Sequence, residues 1–295
     1  MISPRYRIVP DPEYGYLRAD PLPSPDEVAD FYLKEFYGGA IPPERNDSAL
    51  ASQDETFNRI RFSFIRDKAE KYMGSLEGRR LLDIGCGYCQ ALLFFKELGL
   101  EVRGVDPAPE AAQYGVEKNL AVRQGGVEDE AALSEGGPFD IVLLLNVLEH
   151  LREPANLLRT LHDKILASDG LLVIDVPNEY NDFQVTADEE YDLKQWWFAP
   201  PCHINYFSQS TLSALLTKCG YEVVGMEASF PMELFLLMGD NYVGNSDMGR
   251  ACHLKRIRFE ETLVRRGRAD TLRRFYEAMA KCGLGRQIVV YARPI

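Results

Sequence analysis

Apolar residues in this chain follow two rhythms. Short, nearly continuous apolar runs alternate with longer segments in which apolar positions recur every three or four residues, the signatures of buried strands and amphipathic helices. The runs predict strands at 80–84, 101–106, 120–123, 140–145, 171–176, 221–227 and 287–292. The helical rhythm predicts helices at 90–98, 109–118, 154–166 and 208–219, the last capped by Ser208 and stopped at Gly220. Seven strands alternating with helices predict an α/β fold, a doubly wound, mostly parallel sheet with right-handed crossovers. Ahead of it, residues 1–25 are rich in proline and read as an extended arm with little regular structure. Ser24-Pro25-Asp26-Glu27 is a helix start, predicting a helix over Asp26–Tyr37 whose apolar face carries Val28, Phe31, Tyr32 and Phe36. A second helix is predicted over Asp54–Tyr72, with Phe57, Ile60, Phe64 and Ile65 on one side. A hairpin between the last two strands needs only about 2–5 residues. Far more intervene, which predicts a helical cap over the substrate. The expected division is an arm and helical lid (1–75), a sheet core (76–230), a cap insertion (231–286) and a closing strand (287–295).

The pattern turns on Arg80-Leu-Leu-Asp83-Ile-Gly85-Cys86-Gly87-Tyr-Cys89. Gly85 and Gly87 stand in a strand-to-helix turn, where the backbone bends tightly and a ligand approaches closer than a Cβ allows. Open α/β sheets bind ligands at such carboxyl ends. A dinucleotide fingerprint places a third glycine three residues after the second, and that place here is Gln90. The chain offers instead Asp83 inside the strand and Asp106 at the end of the next one. Asp106 is placed to accept hydrogen bonds from both ribose hydroxyls of a nucleotide.

Asp83-Ile-Gly85-Cys86-Gly87 followed by Gly104-Val-Asp106 resembles the cofactor site of class I S-adenosylmethionine-dependent methyltransferases. Phe139-Asp-Ile-Val-Leu-Leu-Leu-Asn146-Val147-Leu-Glu149-His150-Leu151 is similar to their fourth-strand motif. Ser168-Asp-Gly-Leu-Leu-Val-Ile-Asp175-Val-Pro177-Asn178 is similar to their fifth strand. The likeness runs from about residue 78 to 228 with order and spacing intact; Cys89 departs from a position where the family often has glycine. The resemblance implies the Rossmann-like methyltransferase fold and S-adenosylmethionine as cofactor, with S-adenosylhomocysteine as product. It also implies a cofactor site of Asp83, Gly85, Cys86, Gly87, Asp106, Pro107, Val127, Glu128, Asn146 and Val147. Glu128 is preferred to Asp129 for the adenine amine because it directly follows the apolar Val127. Helices that precede the core commonly lie over the cofactor in this family, which brings in Tyr32 and Tyr37, although aromatics at helical spacing read first as core.

Methyl transfer from a sulfonium is an in-line displacement governed by alignment and exclusion of water. A base is required only where the acceptor loses a proton. His162 lies in a helix and His253 in the cap, as surface or packing residues. His150 closes the fourth-strand motif. His203 sits in Trp196-Trp197-Phe198-Ala-Pro-Pro-Cys202-His203-Ile-Asn205-Tyr206-Phe207-Ser208, which resembles the His-x-x-x-Phe-Ser block of a subfamily that modifies sugars and natural products. His203 and His150 are therefore the catalytic candidates, and the expected acceptor is a hydroxyl of a sugar, glycan precursor or natural product. Alternatives are C- or N-methylation of a small molecule, a non-catalytic S-adenosylmethionine-binding module and an NAD-dependent oxidoreductase.

Composition narrows the partners. The chain has 295 residues, 46% of them hydrophobic, and a net charge of −12. That sign disfavours nucleic acid and anionic membrane surfaces, leaving a small-molecule substrate. No apolar run reaches the roughly 18 residues of a membrane span. The first residues lack a signal-peptide core, so a cytoplasmic enzyme is expected. Cys86-x-x-Cys89 has metal or redox spacing, but no second close pair follows, and no metal site is expected. Arg256, Arg258, Arg265, Arg266 and Arg268 read as a solvated helical face, or as a phosphate clamp. Oligomeric state is not readable.

Overall fold

The computed structural model describes residues 5–31 and 48–295. Its centre is a seven-stranded sheet in the order β5-β4-β3-β6-β7-β10-β9. The strands are β3 (Arg80–Ile84), β4 (Glu101–Asp106), β5 (Ala121–Gln124), β6 (Phe139–Leu145), β7 (Leu166–Pro177), β9 (Tyr221–Ala228) and β10 (Gln287–Pro294). The first five of that order are mutually parallel, and β10 runs antiparallel between β7 and β9.

Parallel strands covered on both faces read as apolar runs, and period-2 alternation divides their side chains between two cores. On one face Leu82, Ile84, Val142, Leu144, Leu172 and Ile174 pack with residues of α6 (Pro154–Thr160) and α8 (Gln209–Lys218). On the other, Leu81, Ile141, Leu143, Leu171 and Val173 pack with Phe62, Ile65 and Ala69 of α2 (Ser48–Met73) and with α3 (Gln90–Glu97). The same alternation puts Asp83 and Asp175 on the α2 face, near the carboxyl ends of β3 and β7. The remaining crossover helix of the first half is α4 (Pro109–Glu117).

Several expectations need correction. The proline-rich arm is not structureless: β1 (Arg7–Pro10) and β2 (Leu17–Asp20) form a hairpin that joins β8 (Asn205–Tyr206) in a second, three-stranded sheet. Pro10 closes the edge strand β1, and Pro21 follows the last residue of the central strand β2, positions where a missing N–H is tolerated. The helix expected over 154–166 stops at Thr160, passes through a π turn over Leu161–Ile165 and hands over to β7 at Leu166. Two helices went unpredicted, α5 (Glu130–Ser134) and α7 (Asp182–Tyr191). The first helix, α1 (Pro25–Phe31), begins as expected; its continuation to Tyr37, with Tyr32 and Tyr37, lies outside the described residues. Before the last strand stand α9 (Glu233–Leu237), α10 (Ser246–Arg265) and α11 (Ala269–Lys281). They share a core with Ile60 and Phe64 of α2 through Phe235, Cys252, Leu272 and Tyr276. Arg256 departs from the solvated face expected of it: it is buried, with its guanidinium carbon 4.1 Å from the Phe57 ring centre. Among the described residues, no helix is long and apolar enough to cross a membrane.

Candidate active site

The turn after β3 brings the predicted cofactor residues together. Gly85 has φ +75°, and a Cβ there would stand 2.9 Å from Val147 Cγ2, so only glycine leaves this turn bare against the strand beside it. Asp106 is buried at the end of β4; its Oδ2 accepts from the Gly87 amide at 2.8 Å and its Oδ1 from the Ala108 amide at 2.9 Å. The acid thus pins the glycine loop. Cys86 packs beneath it, and its thiol, hydrogen-bonded to Cys89 and buried, is pushed above the usual range. Asn146 takes a left-handed conformation (φ +59°), which asparagine tolerates. Its amide donates to the Asp175 carbonyl at 2.8 Å, and its Oδ1 accepts from Gln287 Nε2 at 2.7 Å. On the far side, Val127 packs against the main core and Glu128 is exposed beside Gly126. Asp129 caps α5 by accepting from the Ala132 amide. Pro107 follows β4, its carbonyl accepting from Gln124.

A floor of buried charge continues across β6 and β7. Arg61 of α2 reaches Asp175 Oδ2 with Nε at 2.8 Å and Nη2 at 2.7 Å. Yet Asp175 Oδ1 is buried without a hydrogen-bond partner. Beyond them come Glu149 and His150, on the turn Leu148–His150 after β6, and Glu179 after β7. Burial pushes the Glu149 carboxyl well above the usual range.

A family profile described as a methyltransferase domain matches residues 57–225, more than half of the chain. The chain belongs to the methyltransferase family. This methyltransferase is 35% identical over 161 residues to the ubiquinone biosynthesis O-methyltransferase of Caulobacter sp. (strain K31), a match covering 50% of the chain and 63% of that relative. The Bordetella avium protein of the same name is 33% identical over 195 residues, covering 63% of the chain and 79% of the relative. The chain thus spans less than two thirds of the Caulobacter relative's length. Among solved structures, the Burkholderia thailandensis 1,6-didemethyltoxoflavin-N1-methyltransferase, with its substrate and S-adenosylhomocysteine bound, shares the fold at TM-score 0.51. The identity there is 16%, with 100% of this chain and 97% of that one covered.

The loop after α7 carries His203 up to His150 on the turn after β6. The His150 and His203 rings meet edge to face, 5.0 Å between centres. His150 Nδ1 lies 2.9 Å from the Cys202 carbonyl, which only accepts, so that nitrogen carries the proton. Burial, followed by the charge of His203, lowers the His150 pKa to about 4. His150, Cys202 and His203 bring three potential metal donors within 4.8 Å of one another. The Nδ1 of His150 is committed to a carbonyl, which ties the turn after β6 to the loop of Cys202.

Sequence reasoning missed Arg61, Asp175, Glu179 and Gln287. Asp175 and Glu179 obey the logic that picked out Asp106, an acid at or just past the end of a parallel strand. Arg61 and Gln287 give no local signal, because each arrives from an element distant in sequence.

Asp83 is 3% exposed, and burial raises its pKa to about 7, Arg61 opposing and Asp106 reinforcing the shift. Its folded-state value lies above that of the unfolded carboxyl. The native chain therefore holds the extra proton between about pH 4 and 7, and stability falls as pH rises through that window. Asp83→Asn removes the fall. In urea unfolding the variant gains on the wild type between pH 5 and pH 8 by up to about 3 kcal/mol. Parallel pH profiles for the two proteins would show that Asp83 is ionised throughout.

Proposed function

We propose that this methyltransferase moves the methyl group of S-adenosylmethionine to a hydroxyl of a small molecule. The observation that carries the reading is the Asp106 carboxylate locked to the Gly87 amide beside the bare Gly85 turn. Each carboxylate oxygen has a second lone pair, so Asp106 can accept from two ribose hydroxyls without releasing the loop. The residues also fit the cofactor's amino-acid end: the Arg61 guanidinium suits its carboxylate, and Asp83 with the orphaned Asp175 Oδ1 suits its ammonium. Cys86, Pro107, Asn146 and Val147 line the same cradle, with Val127 and Glu128 at the adenine end. When bound, S-adenosylmethionine supplies an electrophilic methyl on a sulfonium. The protein's part is to align the acceptor oxygen, exclude water and take up its proton.

His203 is the group assigned to that proton. His150 is held neutral and hydrogen-bonded to the Cys202 carbonyl, so it anchors the loop that carries His203. The names of the related O-methyltransferases favour oxygen as the receiving atom. The aromatic residues around His203 favour a ring-shaped acceptor: a sugar, a glycan precursor or a ring-bearing natural product. The insertion with α10 and α11 serves as the cap over it. Work in the cytoplasm fits an acceptor of this kind.

Screening hydroxylated sugars, phenols and glycan precursors for S-adenosylhomocysteine release tests the reaction. On the acceptor so found, His203→Gln lowers kcat by roughly 10²-fold or more, with S-adenosylmethionine affinity unchanged. Unaltered turnover in that variant would remove His203 from the chemistry.

A further inference from the structure

Glu179 stands on the turn that leaves β7, and His203 on the loop between α7 and β8, so they meet only in the folded protein. Glu179 is 3% exposed, and both its carboxylate oxygens are buried without a hydrogen-bond partner. Its Oε1 lies 3.6 Å from His203 Nδ1, a nitrogen that is itself buried and unpartnered. Leaving such groups unsatisfied costs on the order of 1–3 kcal/mol each. The backbone of His203 is fixed, its amide donating to the Ala199 carbonyl at 3.0 Å and its carbonyl accepting from Tyr206 Oη at 2.8 Å. What remains adjustable is the ring, and the group facing it is Glu179.

We propose that Glu179 is the positioning residue for His203. It accepts the Nδ1 proton in a hydrogen bond, fixes the tautomer that leaves Nε2 bare, and stabilises the imidazolium formed when Nε2 takes a proton. The assignment rests on the reading of His203 as the acceptor's base. The proton moves from the acceptor oxygen to Nε2, while Glu179 stays ionised and exchanges none. A gap of 3.6 Å before substrate binds is usual for such pairs, which tighten when the site fills. An orienting carboxylate behind a histidine selects the tautomer and favours its charged form. The other titratable or charged groups around the ring are His150 and Glu149 from the turn after β6, and Cys202 and Tyr206 of its own loop. Arg286, paired with Glu233, acts on Glu179 from the start of β10.

The test is ¹⁵N NMR of the histidine rings in the full chain without added ligand, with His203→Asn assigning the signal. In the wild type the His203 proton resides on Nδ1. Glu179→Leu abolishes that preference and lowers the titration midpoint of His203 by about one pH unit, a tenfold loss of proton affinity. Glu179→Gln keeps the tautomer through its amide oxygen and shows the lowered midpoint alone, so it also serves if the leucine variant fails to fold. An unchanged tautomer and midpoint in Glu179→Leu, or an unchanged midpoint in Glu179→Gln, would overturn the proposal. The readout needs neither cofactor nor acceptor, so its failure is distinct from failure of the methyl-transfer reading.

Discussion

Asp106→Ala loses S-adenosylmethionine affinity by at least a hundredfold while the sheet stays folded. A hydrogen bond to a charged group is worth about 1.5–3 kcal/mol. Two from a ribose to this carboxylate therefore account for roughly 10²–10⁴ in the dissociation constant. The substitution also frees the Gly87 and Ala108 amides that the acid now holds at 2.8 and 2.9 Å, so the glycine loop loses its shape as well as its ligand contact. Calorimetric titration with S-adenosylmethionine, S-adenosylhomocysteine and NAD, alongside circular dichroism, measures both effects. Affinity for the first two in the wild type, lost in the variant, fits the assigned site. Full affinity in the variant would place the cofactor elsewhere, and binding of NAD alone would return the chain to the oxidoreductase reading.

Arg61→Leu is expected to be the most damaging single change to stability. Asp175 is 1% exposed and Arg61 reaches it with two nitrogens, while Asp83 lies in the same field. Removing one partner of a buried pair leaves an uncompensated charge and costs about 3–5 kcal/mol. Thermal unfolding should fall by on the order of 10 °C. Restoring neutrality with Arg61→Leu/Asp175→Leu should recover most of the loss, since an apolar pair of matched volume commonly replaces a buried ion pair without penalty. A double variant no more stable than the single one would show that Arg61 acts by packing. The double variant should still bind S-adenosylmethionine poorly, because the guanidinium and the orphaned Asp175 Oδ1 are gone.

The parts of this protein legible in its sequence are those encoded locally. The run Leu81–Ile84, the glycines after it and Asp106 one strand later declare a strand, a turn and an acid within a short span. The structure joins them as that pattern predicts, through the Gly87–Asp106 hydrogen bond. Ser208 caps α8 and Gly220 ends it, because capping chemistry acts over a few residues. What stayed hidden depends on chain brought from afar. Arg61 reads as one more polar residue on an amphipathic helix until β7 lies beneath it. Arg256 counts as surface charge in a basic stretch, yet tertiary packing slides it over Phe57. Glu179 follows Pro177-Asn178 in what looks like an ordinary turn, and its meaning appears only when the loop of His203 folds back. The arm misled for the opposite reason: its prolines are genuine strand breakers, but they bracket β1 and β2 rather than interrupt them.

That arm gives the loop of His203 an unusual dependence. Leu17 and Arg18 pair with Tyr206 and Asn205, and the Ala19 amide donates to the Ile204 carbonyl beside His203. The histidine loop is therefore fastened by a strand that β3 to β7 separate from it in sequence. Such pairing adds contacts of very long sequence separation, the kind that form late and slowly. The arm is also tied into the main core, where Tyr14 and Tyr16 are buried and the Tyr16 ring stands 5.0 Å from that of Phe207. Cutting the arm away would therefore loosen the loop of His203 first, while the turn after β3 keeps the Gly87–Asp106 hydrogen bond that shapes it.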